Sequence, residues 1–201
     1  MDDNQSMRIP TEEDLSEFKK ESFRNSVRLF RDACLLFENK RYPTAYSIGV
    51  LSYEELGKTL SIDRACDLMC LNPESREQIY KDFFEGNRLY DHRYKQRRAN
   101  ADTVMFFEKE KSAKSQFVQN GGLETEKHKG FYVELENRKL DVPSRITKEK
   151  AFELLKYILN AIEESGDIGF NGFECISTPQ SEHLAKESLE QAKEAFLCCK
   201  I

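Results

Sequence analysis

The sequence predicts a mostly α-helical bundle carrying a small β-hairpin insertion. Three observations carry that expectation. Apolar residues recur at three- and four-residue spacing through most of the chain, capping and breaking signals divide it into long segments, and one short stretch alternates like a strand. At 201 residues the chain has the length of one well-packed domain, and its 14 Phe and 8 Tyr supply bulk for a core despite the absence of Trp. Residues 1–10 read as disordered and 11–201 as that single domain.

The first helix opens at Thr11-Glu12-Glu13-Asp14, an N-cap followed by acids that complement the positive helix start. Phe18, Ser22, Val27, Phe30, Cys34 and Phe37 hold a helical rhythm to about Glu38. Asn39 to Pro43 breaks it, and a second long helix follows to about Leu71, with Pro43 suited to its first turn. So short a connection predicts an antiparallel helical hairpin.

Asn72-Pro73-Glu74-Ser75 starts a further helix that Gly86 interrupts, and another begins near Asn87, basic in its first half, fading before Gly121-Gly122. Phe131 to Leu135, a turn over Glu136 to Lys139, and Leu140 to Pro143 read as the hairpin or an extended arm. It is too small to be a sheet core on its own. Thr147 announces a strongly apolar helix over Ala151 to Ile162, Glu164 to Gln180 reads as an exposed loop, and a last amphipathic helix spans about Ser181 to Cys199.

A formal net charge of −5 argues against a protein that coats nucleic acid non-specifically, which requires a positive field. No run of about 18 apolar residues is present, and the start Met1-Asp2-Asp3-Asn4 is unlike a secretory signal, so the expectation is a cytoplasmic protein with no membrane partner. The 6 cysteines lack the repeated C-x-x-C of a zinc site. Cys66 and Cys70, one turn apart, suit small core residues better than metal ligands, and neither a metal nor another cofactor is expected.

The most informative stretch is Ser52-Tyr53-Glu54-Glu55-Leu56-Gly57-Lys58, which sets acids and a lysine within a core-forming helix. Stepping from Leu51 through Glu55, Lys58, Ile62 and Cys66 traces one stripe that should look inward. Ionised groups are rarely buried unpaired, so Glu55 and Lys58 are either a buried pair, part of a polar interface site, or, if the phase slips by one residue, a surface pair with Glu54 supporting Lys58.

On the next long helix Arg88, His92 and Lys95 share a face, being spaced by four and three. A histidine that exchanges protons near neutral pH beside cations that offset charge growing on phosphorus is the equipment of metal-independent RNA cleavage. Glu55 would orient His92 or a cation if the two helices faced each other. Arg93, Arg97 and Arg98 form a basic face suited to attracting RNA, Asp91 reads as a partner for Lys95, and His128 as exposed loop. The competing reading of His92 is a solvated histidine among surface basics.

Three pieces of the chain resemble the AbiV family of bacterial phage abortive-infection proteins, within the HEPN superfamily of helical domains. They are Tyr42 to Ser47 running into Glu54-Glu55-Leu56-Gly57-Lys58, then His92 with Lys95, then Gly130-Phe131-Tyr132-Val133 followed by Pro143 and a helix near Thr147. The resemblance spans about residues 20–163. It implies a HEPN-like helical core, a role in antiviral defence, a homodimer, and an RNA-directed toxic activity. The chain departs from the superfamily's ribonuclease pattern, Arg then four to six residues then His: Glu85, Gly86 and Asn87 stand where that Arg belongs, and Arg88 is one position too near. Two other classes therefore stay open. One is a non-catalytic sensor that captures a phage or host protein, and the other a nucleotide binder, for which no Gly-rich phosphate loop is present.

Overall fold

The computed structural model describes residues 10–85, 89–104, 116–132, 134–136, 139–141, 145–171 and 179–199. The expectation for the N-terminal ten residues falls, Pro10 apart, outside them, as does Arg88. Helix α1 spans Glu12–Glu38, α2 Tyr42–Leu71, α3 Arg76–Tyr80, α4 His92–Val104, α5 Gly122–Phe131, α6 Lys148–Asn171 and α7 Pro179–Leu197. Strands β1 Glu134–Glu136 and β2 Lys139–Asp141 pair antiparallel, with Leu135 opposite Leu140. Three residues per strand bury little, so the architecture is that of packed helices.

Helix α1 starts on a complete capping box: the Thr11 hydroxyl accepts the Asp14 N–H at 3.2 Å and the Asp14 carboxylate accepts the Thr11 N–H at 2.8 Å. It turns into α2 across Asn39 to Arg41, where Lys40 takes a left-handed φ of 59° and Pro43 occupies the first turn of α2. Phe23, Phe30 and Phe37 of α1 are core residues here. Those aromatics pack within the chain, Phe30 on Phe196 of the last helix and Phe37 on Tyr42 and Phe152.

Helix α2 is the axis of the fold, packed by α1, α4, α5 and α6 and buried almost all round. Small residues let its neighbours approach. Ser26 and Ser52 exchange hydroxyl-to-carbonyl hydrogen bonds of 2.8 Å between α1 and α2. Gly57 lies so near α4 that a Cβ there would sit 1.9 Å from the Lys95 carbonyl oxygen. Gly130 of α5 likewise fits against Ser47, whose hydroxyl donates to the Lys127 carbonyl at 2.8 Å. The main core joins Phe30, Val50, Leu56, Leu155, Ile158 and Ile162, and a smaller cluster gathers Leu15, Ile62, Cys66, Met69 and Leu89. Lys19 and Asp63 pair across α1 and α2.

Two expectations need correction. The segment before the hairpin is not loop but α5, started by Gly121 at φ 76°; ten mostly polar residues gave no apolar stripe by which to recognise it. The apolar helix of the C-terminal half continues past Glu164 to Asn171, and Pro179 and Gln180 already belong to α7, so both ends of the loop expected over 164–180 are helical and the remainder lies outside the described residues.

Candidate functional site

The crossing of α2, α4 and α5 buries a charged cluster whose centre is Glu54, 2 % exposed. Gly57 sets its depth: without a Cβ, α4 drops onto α2 and brings His92 and Gln96, one turn apart, to Glu54. Asp91 starts that helix, its carboxylate accepting the Tyr94 N–H at 3.1 Å, so it serves as a cap and not as a partner of Lys95. At the far end Tyr157 of α6 donates to Asn100 at 2.9 Å and meets Tyr53 at 3.2 Å, fixing the register of α4.

Both Glu54 oxygens are occupied. Oε2 lies 2.6 Å from His92 Nδ1 and 4.0 Å from Lys95 Nζ. Oε1 accepts from Gln96 at 2.8 Å and from the Lys127 ammonium at 2.9 Å. Lys127 simultaneously bonds Glu124 Oε2 at 2.7 Å, and Glu124 Oε1 stands 2.9 Å from His128 Nε2. Glu54 and the two lysines are buried and Glu124 partly so, whereas the side chains of His92 and His128 are 49 % and 50 % exposed. Each half-exposed imidazole is thus anchored through one nitrogen on a carboxylate of the cluster.

Burial strips the Lys95 ammonium of water and pulls its pKa below the ordinary lysine value, with Lys58 and Lys127 adding to the shift and Glu54 opposing it. Burial pushes Glu124 the other way, but the hydrogen bond and charge of Lys127, with both histidines, more than offset it and hold its carboxyl below the ordinary range. A folded lysine that releases its proton more readily than the unfolded one binds fewer protons, so its contribution to stability rises with pH between the two values. Charged Lys95 accordingly destabilises the neutral-pH fold. Lys95→Met is expected to raise the melting temperature, about 2–4 °C for each ~1 kcal/mol in a chain of this size, and to flatten the alkaline rise in stability. Thermal unfolding between neutral and alkaline pH checks both, and a lowered melting temperature would contradict the account.

Glu54, His92 and Glu124 offer ligand atoms all within 4.8 Å of one another. That spacing would suit a cation, yet Lys127 already bonds an oxygen of each acid. A divalent ion would have to displace a buried ammonium, so the positive charge this site is built around is a lysine.

The residues expected from sequence divide as follows. His92 and Lys95 meet at Glu54, where Lys95 is buried and not a solvated basic group. Glu55 does not orient His92: it pairs with Lys58 at 2.6 Å, the two half-buried on the neighbouring face of α2. The one-residue difference in phase arises because α2 is enclosed on all sides, so both Glu54 and Glu55 look inward. Arg93 and Arg97 are exposed, Arg93 lying over Gly121 and Arg97 donating to the Arg93 carbonyl. Arg98 is half-buried, within electrostatic reach of Asp67 on α2. Arg88 lies outside the described residues. Sequence reasoning missed Gln96, Glu124 and Lys127. Gln96 follows His92 by one turn, and Glu124, Lys127 and His128 share a face at steps of three and four, signals that became usable only with α5 recognised as a helix.

The HEPN_AbiV family model, described as AbiV, matches residues 14–163. The chain belongs to the AbiV family. Membership gives it an HEPN-type fold and points to the abortive-infection class of function. The matched region of this AbiV domain holds every member of the Glu54 cluster, on α2, α4 and α5. No curated protein and no solved structure matches the chain significantly. None of its described helices is long and apolar enough to cross a membrane.

Proposed function

We propose that this AbiV protein acts in anti-phage abortive infection by cleaving RNA without a metal ion, as a cytoplasmic homodimer. The observation that carries the reading is the Glu54–His92 pair: a carboxylate 2 % exposed holds one nitrogen of a half-exposed imidazole. An internal carboxylate that bonds Nδ1 fixes the tautomer and leaves Nε2 as a proton acceptor facing the surface. Such a group removes the proton of an RNA 2′-hydroxyl, which attacks the adjacent phosphorus and expels the 5′-oxygen. Lys95 and Lys127 place positive charge beside the developing phosphorane. Exposed Arg93 and Arg97 lie on the same helix as His92 and supply a place for the RNA backbone. The helix begins at His92, behind the Asp91 cap, so the helical face expected to join Arg88 to His92 is not part of the proposal.

His92→Ala is expected to leave the fold intact, since half the side chain is already solvated, and to lower cleavage at least ~100-fold. The test incubates purified protein with total RNA, with and without EDTA, and identifies the fragment ends. Cyclic phosphate termini insensitive to EDTA and dependent on His92 support the proposal; intact RNA, or cleavage unchanged by the substitution, overturns it. Sedimentation at micromolar concentration tests the dimer, and a monomer alone would remove that element.

One observation favours a second reading, a binding module that captures a phage or host protein without chemistry. Gln96 and Lys127 tie both acids across three helices, an arrangement that also serves as a strut holding the bundle in register. Intact RNA together with a stable, stoichiometric partner that survives His92→Ala would select it.

A further inference from the structure

We infer that His128 is the second proton-transfer group of this site, the general acid that protonates the departing 5′-oxygen while His92 acts as base; this rests on the RNA-cleavage reading above. The support is the paired construction of the cluster. Two carboxylates, Glu54 and Glu124, are joined through Lys127 Nζ at 2.9 and 2.7 Å and through the Gln96 amide at 2.8 and 3.2 Å. Each carries one histidine on its outer side, at 2.6 Å for His92 and 2.9 Å for His128, and the two imidazoles are almost equally exposed. A surface histidine that merely pairs with the carboxylate one turn away has no need of a buried lysine and amide gripping the far oxygen of that same carboxylate.

The two ends differ in their charge. His92 shares Glu54 Oε2 with the Lys95 ammonium at 4.0 Å. His128 bonds Glu124 Oε1, whereas Lys127 uses Oε2 of that carboxylate. The base role falls to His92 by the reading above, which leaves the donor role to His128. In the reaction His92 takes the 2′-hydroxyl proton, the O2′–P bond forms, the P–O5′ bond breaks, and the leaving oxygen takes the proton from His128. The products are a 2′,3′-cyclic phosphate and a 5′-hydroxyl, and proton exchange with water restores both rings.

A general acid is dispensable when the leaving group needs no proton. The test compares wild-type protein, His128→Asn and His92→Ala on an oligoribonucleotide and on uridine 3′-(4-nitrophenyl phosphate), whose phenolate departs unaided, with circular dichroism as a check on folding. The expected result is a loss of ~100-fold or more on RNA for His128→Asn with near wild-type release of nitrophenolate, and loss on both substrates for His92→Ala. His128→Asn cleaving RNA at the wild-type rate, or losing both substrates equally, overturns the role of His128 while leaving His92 in place. Wild-type protein inert on both substrates overturns the underlying cleavage reading. Should His128→Asn fail to fold, His128→Gln is put through the same comparison with the same consequences.

Discussion

Glu54→Ala is expected to cost ~3–5 kcal/mol of folding stability and to abolish cleavage. The side chain is 2 % exposed and accepts hydrogen bonds from Gln96 and Lys127 while holding His92. Truncating it leaves Lys95 and Lys127, 8 % and 7 % exposed, with one fewer negative charge between them. An uncompensated buried charge costs far more than a surface pair returns. With total stability of about 5–15 kcal/mol for a typical domain, such a loss brings the protein near unfolding at physiological temperature. Glu54→Gln keeps the volume and some hydrogen bonds and should cost less, yet it too lacks the charge that holds the imidazole. Urea denaturation of both variants, alone and combined with Lys127→Met, measures the cost and its coupling. The double variant should recover part of the loss because it removes one stranded ammonium. A Glu54→Ala protein within ~1 kcal/mol of wild type would show that the cluster is worth no more than a solvated pair.

Gly57→Ala tests the helix crossing that builds the site. In an unconstrained helix interior alanine is better than glycine by ~1 kcal/mol. Here the new Cβ would lie 1.9 Å from the Lys95 carbonyl oxygen and 2.6 Å from its carbon, where ordinary contact begins near 3.4 Å. Both obstructing atoms are backbone, so no rotamer change relieves them and α4 itself must withdraw. Overpacking costs ~1–3 kcal/mol or more, enough to outweigh the propensity gain. The effect on chemistry should exceed the effect on stability, because His92 and Gln96 reach Glu54 from α4 and a ~1 Å displacement can cost ~100-fold in rate. Thermal unfolding and the RNA assay on the same preparation separate the two. A Gly57→Ala variant more stable than wild type and fully active would mean that α2 and α4 do not pack as described.

These two substitutions fall in the same five-residue stretch, Glu54-Glu55-Leu56-Gly57-Lys58, and act for different reasons. Gly57 permits the approach, and Glu54 uses it. Leu56 is fully buried in the main core, and Glu55 with Lys58 closes a local pair on the adjacent face. A short run thereby carries a packing gap, a buried charge, a core residue and a half-buried ion pair, which accounts for its standing out in the sequence.

The sequence by itself determined the ends of the first helical hairpin, because those signals are local: the Thr11 N-cap and the break over Asn39 to Arg41 with Pro43 after it. It also placed His92 and Lys95 on one helical face and gave the family resemblance. The identity of the carboxylate beside His92 was beyond it. An amphipathic period reports which face of one helix is apolar, and α2 has no polar face, so the choice between Glu54 and Glu55 was undetermined by its own pattern. Likewise, α5 is short and polar, and nothing local joins Lys127 to Glu54, 73 residues away, or His92 to Glu54, 38 residues away. Tertiary packing decided both, through glycines and serines that let three helices close until buried charges had only each other as partners.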